Sequence, residues 1–301
     1  MSSFEPILLA PEEAIEESYP YRRVWRTSAQ EIGVLLFTVL LIVGVSSFTS
    51  FLPDTYANPR AKTGLALLPL VAWLFFSYRG ERQALIPRTG LIGMVILGGL
   101  VGYGVAVPLE EHVWKPDLWL PAQGFFGRIL GYMFTVGFTS IFLKYLVVRY
   151  TVWPQRFNQR MDGIAYILAV AIGYATVFNL HAAWFSDITL AALAMRVASI
   201  TFSQLSTALL IGYFLSELRI SRPPVFWMPM GLLMASFISG LYFAFRGMTL
   251  VGSLQVASTG SSPLRSLMLA AGLVIVMFLV MSFLIESADT RMEALTGRRN
   301  A

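Results

Sequence analysis

The sequence contains no cysteine, so disulfides and thiolate metal sites are excluded. Histidine is nearly as scarce: His112 and His181 are the only two. Charge is sparse as well. Asp, Glu, Lys and Arg make up 13% of the chain, about half the usual share for a soluble domain. Nothing in the net charge of +5 calls for a nucleic-acid partner, because the basic residues cluster where apolar segments end. The first 28 residues are polar and acidic, unlike a cleavable signal peptide, so Met1 to Ala301 is expected to be close to the mature chain.

What the chain has instead is apolar sequence, 56% of it, arranged in long blocks rather than amphipathic stripes. Blocks of about 18 or more apolar residues are long enough to cross a bilayer. A soluble fold would have to bury eight such helices under too little polar surface. The fold class is therefore all-α, a polytopic membrane helix bundle with about eight transmembrane helices. The expected spans are 31–52, 63–78, 90–107, 124–148, 163–185, 188–216, 225–246 and 264–285. The second is short enough to need tilt or a locally thinned bilayer.

Three divisions follow: an N-terminal arm over 1–29, a transmembrane bundle over 30–286 and a tail over 287–301. Within the arm, Pro11 to Glu17 reads as a short helix with acids at its positive end. The arginines and aromatics around Tyr19, Tyr21 and Trp25 belong at headgroup level. If the N-terminus is cytoplasmic, fourteen of the 22 basic residues fall inside and six outside, with Lys144 and Arg196 within spans. That bias puts both termini in the cytoplasm and fits an even number of helices. The expected location is a bacterial inner (cytoplasmic) membrane.

Ionisable residues inside a span are the usual pointers to function. Lys144 sits about one turn from Arg149, near enough to the helix end to snorkel. Arg196 lies deeper and calls for a partner within the bundle, as a buried polar residue. The sixth span is the most polar, and Gln204 is expected to hydrogen-bond to another helix. Gly98, Gly99 and Gly102 read as a close helix-packing surface. Glu110, Glu111 and His112 look the most chemical, as acids beside an imidazole. Pro108 and Pro116 flank them and tryptophans are interleaved, so a solvated outer loop is expected. His181, followed by Trp184 and Asp187, reads as an interfacial hydrogen-bonding residue.

Four stretches carry a resemblance. They are Phe138 to Arg149 (FTSIFLKYLVVR), Met161 to Asn179 (MDGIAYILAVAIGYATVFN), Arg196 to Tyr213 (RVASITFSQLSTALLIGY) and Ala235 to Phe243 (ASFISGLYF). In this order and spacing, residues 124–245 resemble the PrsW family of intramembrane metallo- or glutamic-type proteases. The matching scaffold positions include Lys144, Asp162, Gly163, Tyr166, Gly173, Asn179, Arg196, Gly212, Tyr213, Gly240, Leu241 and Tyr242.

The resemblance implies a catalytic centre whose chemical residues this chain has replaced. Ser140 and Ile141 stand where the family carries paired glutamates, and Phe178 where it has the glutamate before Asn179. Gln204 and Ser239 stand in place of two histidines, and Phe243 in place of an aspartate. Hydrolysis in a membrane needs an activated water, and these side chains provide neither a carboxylate base nor metal ligands. Ser140 and Lys144 share a helix face at a spacing of four, the arrangement of a Ser-Lys dyad, but nothing else supplies an oxyanion site.

The expected function is therefore non-catalytic. The chain would act as an accessory or scaffold subunit of a membrane complex, or as a regulator that binds a partner. Its degenerate family site comprises Ser140, Ile141, Lys144, Phe178, Asn179, Gln204 and Ser239. No catalytic residue, metal or cofactor is expected. The partners expected are membrane lipids and other membrane protein subunits. Two alternatives stay open: an active protease with a non-standard site around Glu110, Glu111 and His112, and a transport, lipid-binding or pigment-binding subunit with His181 as axial ligand.

Overall fold

The fold is given by a computed structural model, which describes residues 30, 32–41, 59–82, 88–157, 160–186, 189–220, 223–254, 267–281, 283, 284 and 287. Among these there is no strand. Eight apolar helices occur in chain order: α1 (Ile32–Leu41), α2 (Pro59–Arg82), α3 (Leu91–Trp114), α4 (Phe125–Thr151), α5 (Arg160–Phe185), α6 (Leu190–Ile220), α7 (Trp227–Leu254) and α8 (Leu267–Met281). Six of them, α2 to α7, are long and apolar enough to cross a membrane. The other two lie within the expected first and eighth spans. The arm over 1–29, the tail beyond 287 and Asp187 fall outside the described residues.

Two expectations change. The second span is not short: α2 runs 24 residues, because Arg60 and Lys62 at one end and Arg79 and Arg82 at the other stay helical. Long basic side chains reach the interface while their stems remain in the span. The acidic triplet is not in a loop either. Leu109–Trp114 continues α3 as a wide π-helical turn, and the chain leaves the helix only at Lys115, in the left-handed conformation. Pro108 does not break α3, because the wide turns around it relax the usual hydrogen-bond ladder.

Helix α6 is the axis of the bundle. Residues 197–217 are buried throughout, although they include Ser199, Thr201, Ser203, Gln204, Ser206 and Thr207. Such residues are tolerated because their hydroxyls bond backbone carbonyls of the same helix, as Ser206 and Thr207 do to Ser203 O. One core is built mainly from α3 to α7, and a second joins α1, α2 and α8 to parts of α5, α6 and α7.

Helix α5 packs most extensively on α6 and then on α3. The α3–α5 contact is backbone to backbone. A methyl group on Gly98 would collide with the Val170 carbonyl, and one on Gly173 with the Val95 carbonyl. The expected glycine surface on α3 is thus a packing surface, with Gly173 as its counterpart.

Candidate functional site

Lys144 is buried, at 2% exposure, in the middle of the bundle. It does not snorkel. Its side-chain nitrogen donates to Gln204 Oε1 at 2.5 Å and to Thr207 Oγ1 at 3.4 Å, both on α6. It also lies 5.5 Å from the centre of the Tyr174 ring on α5. The helix places it there: Ile141, Lys144 and Val148 recur on the buried face of α4. Gln204 thus bonds to another helix, as its polarity requires inside a membrane.

The cluster extends along α5. Phe178 stacks on Tyr174, with ring centres 4.9 Å apart. Asn179 is fully buried and its Nδ2 donates to Thr201 Oγ1 at 3.2 Å. The Tyr174 hydroxyl and Asn179 Oδ1 are buried without a hydrogen-bond partner. One turn before Lys144, Ser140 Oγ donates to the Gly137 carbonyl at 3.0 Å. Buried Ser239 on α7 packs beside the same glycine: a methyl group on Gly137 would lie 3.3 Å from Ser239 Cβ. Ile141 is completely buried.

Two contact groups therefore lie along α4. One joins Lys144, Gln204, Tyr174 and Phe178, and the other joins Ser140 and Ser239 around Gly137. The hydrogen bonds of Ser140 and Lys144 point away from a dyad, to a backbone carbonyl and to α6. Arg196, expected to be a buried polar residue, is half-buried.

At one end of the bundle, Arg88, just ahead of α3, is held by charge. Arg88 Nε donates to Asp162 Oδ1 at 2.7 Å, and its Nη1 pairs with Glu81. Burial alone would lower the Arg88 pKa; the two carboxylates outweigh it and raise the pKa above its ordinary value. Arg156 Nη1 donates to the Thr89 carbonyl at 2.7 Å. Gly90 follows with φ of 84°, a conformation that glycine adopts without strain. Asp162 lies in the first turn of α5, and Ser216 Oγ on α6 accepts from Gly163 N at 3.1 Å. Sequence reasoning missed this ionic group because its members are separated by up to 81 positions and none lies in an apolar run.

At the opposite end, His181 Nε2 lies 3.1 Å from Glu111 Oε1, and the imidazole packs on Phe185. His181 thus takes its polar partner from α3.

The model of the PrsW family intramembrane metalloproteases matches residues 86–283. The chain belongs to this family. The match begins before α3 and reaches α8, beyond the expected 124–245. Comparison with the curated proteins and with the solved structures gives no match.

The family description names a metalloprotease, so the donor set matters. The central cluster offers an amine, a carboxamide, hydroxyls and aromatic rings. Hydrolytic metal centres use carboxylate and imidazole ligands. Among the described residues, no three of His, Cys, Asp or Glu are grouped to hold a metal ion. The residues present at the centre do not fit a catalytic metal.

Proposed function

We propose that this multi-pass PrsW-family protein is non-catalytic and acts by binding, as an accessory or scaffold subunit of a membrane complex or as a regulator of a partner. The observation that supports this reading is the Lys144–Gln204 hydrogen bond. At the positions where the resemblance calls for glutamates and histidines, the chain has Ser140, Ile141, Phe178, Gln204 and Ser239. There Gln204 accepts a hydrogen bond from a buried lysine and Phe178 extends an aromatic stack. A general base must reach a water molecule; Ser140, Ile141, Phe178, Gln204 and Ser239 lack the basicity to activate one, and the Lys144 amine is engaged by Gln204 and Thr207. We place the protein in the cytoplasmic membrane, with lipids and other membrane subunits as partners.

The test is to reconstitute the purified chain in nanodiscs with a panel of transmembrane peptides, with and without added zinc. Mass spectrometry then reads cleavage. No cleavage is expected, and a defined membrane protein is expected to copurify from native membrane. Peptide cleavage that is abolished by Ser140→Ala or by chelation overturns the reading.

A further inference from the structure

Two hydrogen-bond donors meet at one end of α4 with no acceptor between them. Arg149 occupies the last turn of α4, and its guanidinium carbon lies 3.4 Å from the centre of the Trp153 ring. Arg149 Nη1 and Trp153 Nε1 are both buried, and neither has a hydrogen-bond partner. Buried polar groups are rarely left this way, and a cationic donor is the most costly kind to leave. The nearby arginines are engaged elsewhere: Arg88 with Glu81 and Asp162, and Arg156 with the Thr89 carbonyl. Helix α4 carries no acid, so its own turn offers Arg149 no carboxylate.

Depth says what lies alongside. Helix α4 covers 27 residues. At 1.5 Å per residue it is about 40 Å long, against a hydrocarbon core of about 30 Å. A helix centred on that core has its last three or four residues at headgroup level. Arg149 is two residues from the end. Its neighbour Tyr150 is exposed, and Trp153 is an aromatic of the interfacial kind. The acceptors plentiful at that depth are phosphate oxygens. A guanidinium offers a planar fork of N–H groups that matches phosphate in bidentate fashion. Contact with the Trp153 ring restrains the guanidinium, and the indole N–H is a second unpartnered donor in the same pair of residues.

We propose that Arg149 and Trp153 form a binding site for an anionic phosphate group at the Thr151 end of the fourth span. An acidic phospholipid is the source that the depth favours. This site stands apart from the central cluster and does not depend on whether the chain is catalytic.

The full chain is reconstituted in vesicles of mixed phosphatidylglycerol and phosphatidylcholine, released into detergent and weighed by native mass spectrometry. Thermal unfolding checks that each variant is folded. The wild type is expected to retain phosphatidylglycerol. Arg149→Gln should retain about tenfold less, and Trp153→Phe, which keeps a ring but loses the N–H, should fall between the two. Arg79→Gln, at an exposed arginine that packs on Phe75, serves as control and should match the wild type. Displacement of the lipid by inorganic phosphate alone would support the phosphate site and make free phosphate its ligand. Retention as strong in Arg149→Gln as in wild type overturns the proposal. If Arg149→Gln does not fold, wild-type retention in Trp153→Phe overturns it.

Discussion

Lys144 on α4 donates to Gln204 on α6 at 2.5 Å, in the centre of a membrane bundle. Each is the other's main hydrogen-bonding partner, so they should behave as one unit. Gln204→Leu leaves a buried amine short of an acceptor and should cost about 2 kcal/mol. Lys144→Met leaves only an amide oxygen unpaired and should cost less. The double variant should be less destabilised than the sum of the singles, by about 1 kcal/mol, in thermal unfolding in detergent. Strict additivity would mean that the bond carries no net energy.

Tyr174→Phe should be neutral or stabilising by up to about 1 kcal/mol. The ring stays stacked on Phe178 and beside Lys144, while a buried hydroxyl without a hydrogen-bond partner is removed. Tyr174→Ala should instead lose about 3 kcal/mol or more, from the vacated volume. Comparing melting temperatures of the two variants separates ring from hydroxyl. A clear loss of stability in Tyr174→Phe would show that the hydroxyl is satisfied after all.

Helices α2 to α7 were legible in the sequence because each is a long apolar block, and length alone separates such blocks from soluble helices; α1 and α8 are shorter apolar helices within the expected first and eighth spans. The PrsW resemblance was legible because Asp162, Gly163, Gly173 and Gly212 punctuate those blocks at distinctive intervals, and the family match over residues 86–283 agrees with it. What the sequence hid was the environment of single polar residues. Lys144 near Arg149 looks free to snorkel, and only the packing of α5 and α6 against α4 shows that it is enclosed. The helical course of Glu110 to His112 was hidden by flanking prolines, which normally mark a loop. The Arg88–Asp162 pair is a contact between a connecting segment and a helix start 74 positions away, and no local pattern encodes it.

Gly173→Ala should be among the most damaging small substitutions in the chain. Its new methyl group meets the Val95 carbonyl, which is backbone and cannot rotate away. Helices α3 and α5 would have to separate, at a cost of about 1–3 kcal/mol. Gly104→Ala is the control, since nothing lies within 4 Å of its added carbon. Folded yield of Gly173→Ala should fall while that of Gly104→Ala is unchanged. Equal yields would place the two helices farther apart than described.

Arg88→Met should destabilise the fold by about 3 kcal/mol, because it leaves Glu81 and Asp162 without their shared cation. The pH dependence has a definite sign. The Arg88 pKa is raised in the folded chain, so its contribution is complete below the pKa of the unfolded guanidinium. It fades only as the pH climbs through the still higher folded value. The gap between wild type and Arg88→Met should therefore stay constant from about pH 6 to about pH 9. A gap that closes on the alkaline side in that window would mean that some other group carries the interaction.

Orientation is the last expectation that can be tested directly. With six helices, α2 to α7, long and apolar enough to cross and further apolar helices at each end, an even number of crossings would put both termini on one side. Fourteen of the 22 basic residues then sit on the same side as the termini, including Arg79, Arg82, Arg88, Arg149 and Arg156. Basic segments near helix ends resist translocation, so that side is expected to be the cytoplasm. Reporter fusions at Ala57, Trp153 and Ala301 should read outside, inside and inside. The middle fusion matters most, because it fixes the leaflet that supplies a phosphate to Arg149. If the Trp153 fusion reads inside, the lipid concerned belongs to the cytoplasmic leaflet, where an added acidic phospholipid should raise its retention. If it reads outside, the charge bias has been overridden and the predicted topology is inverted, with the phosphate site facing the opposite leaflet.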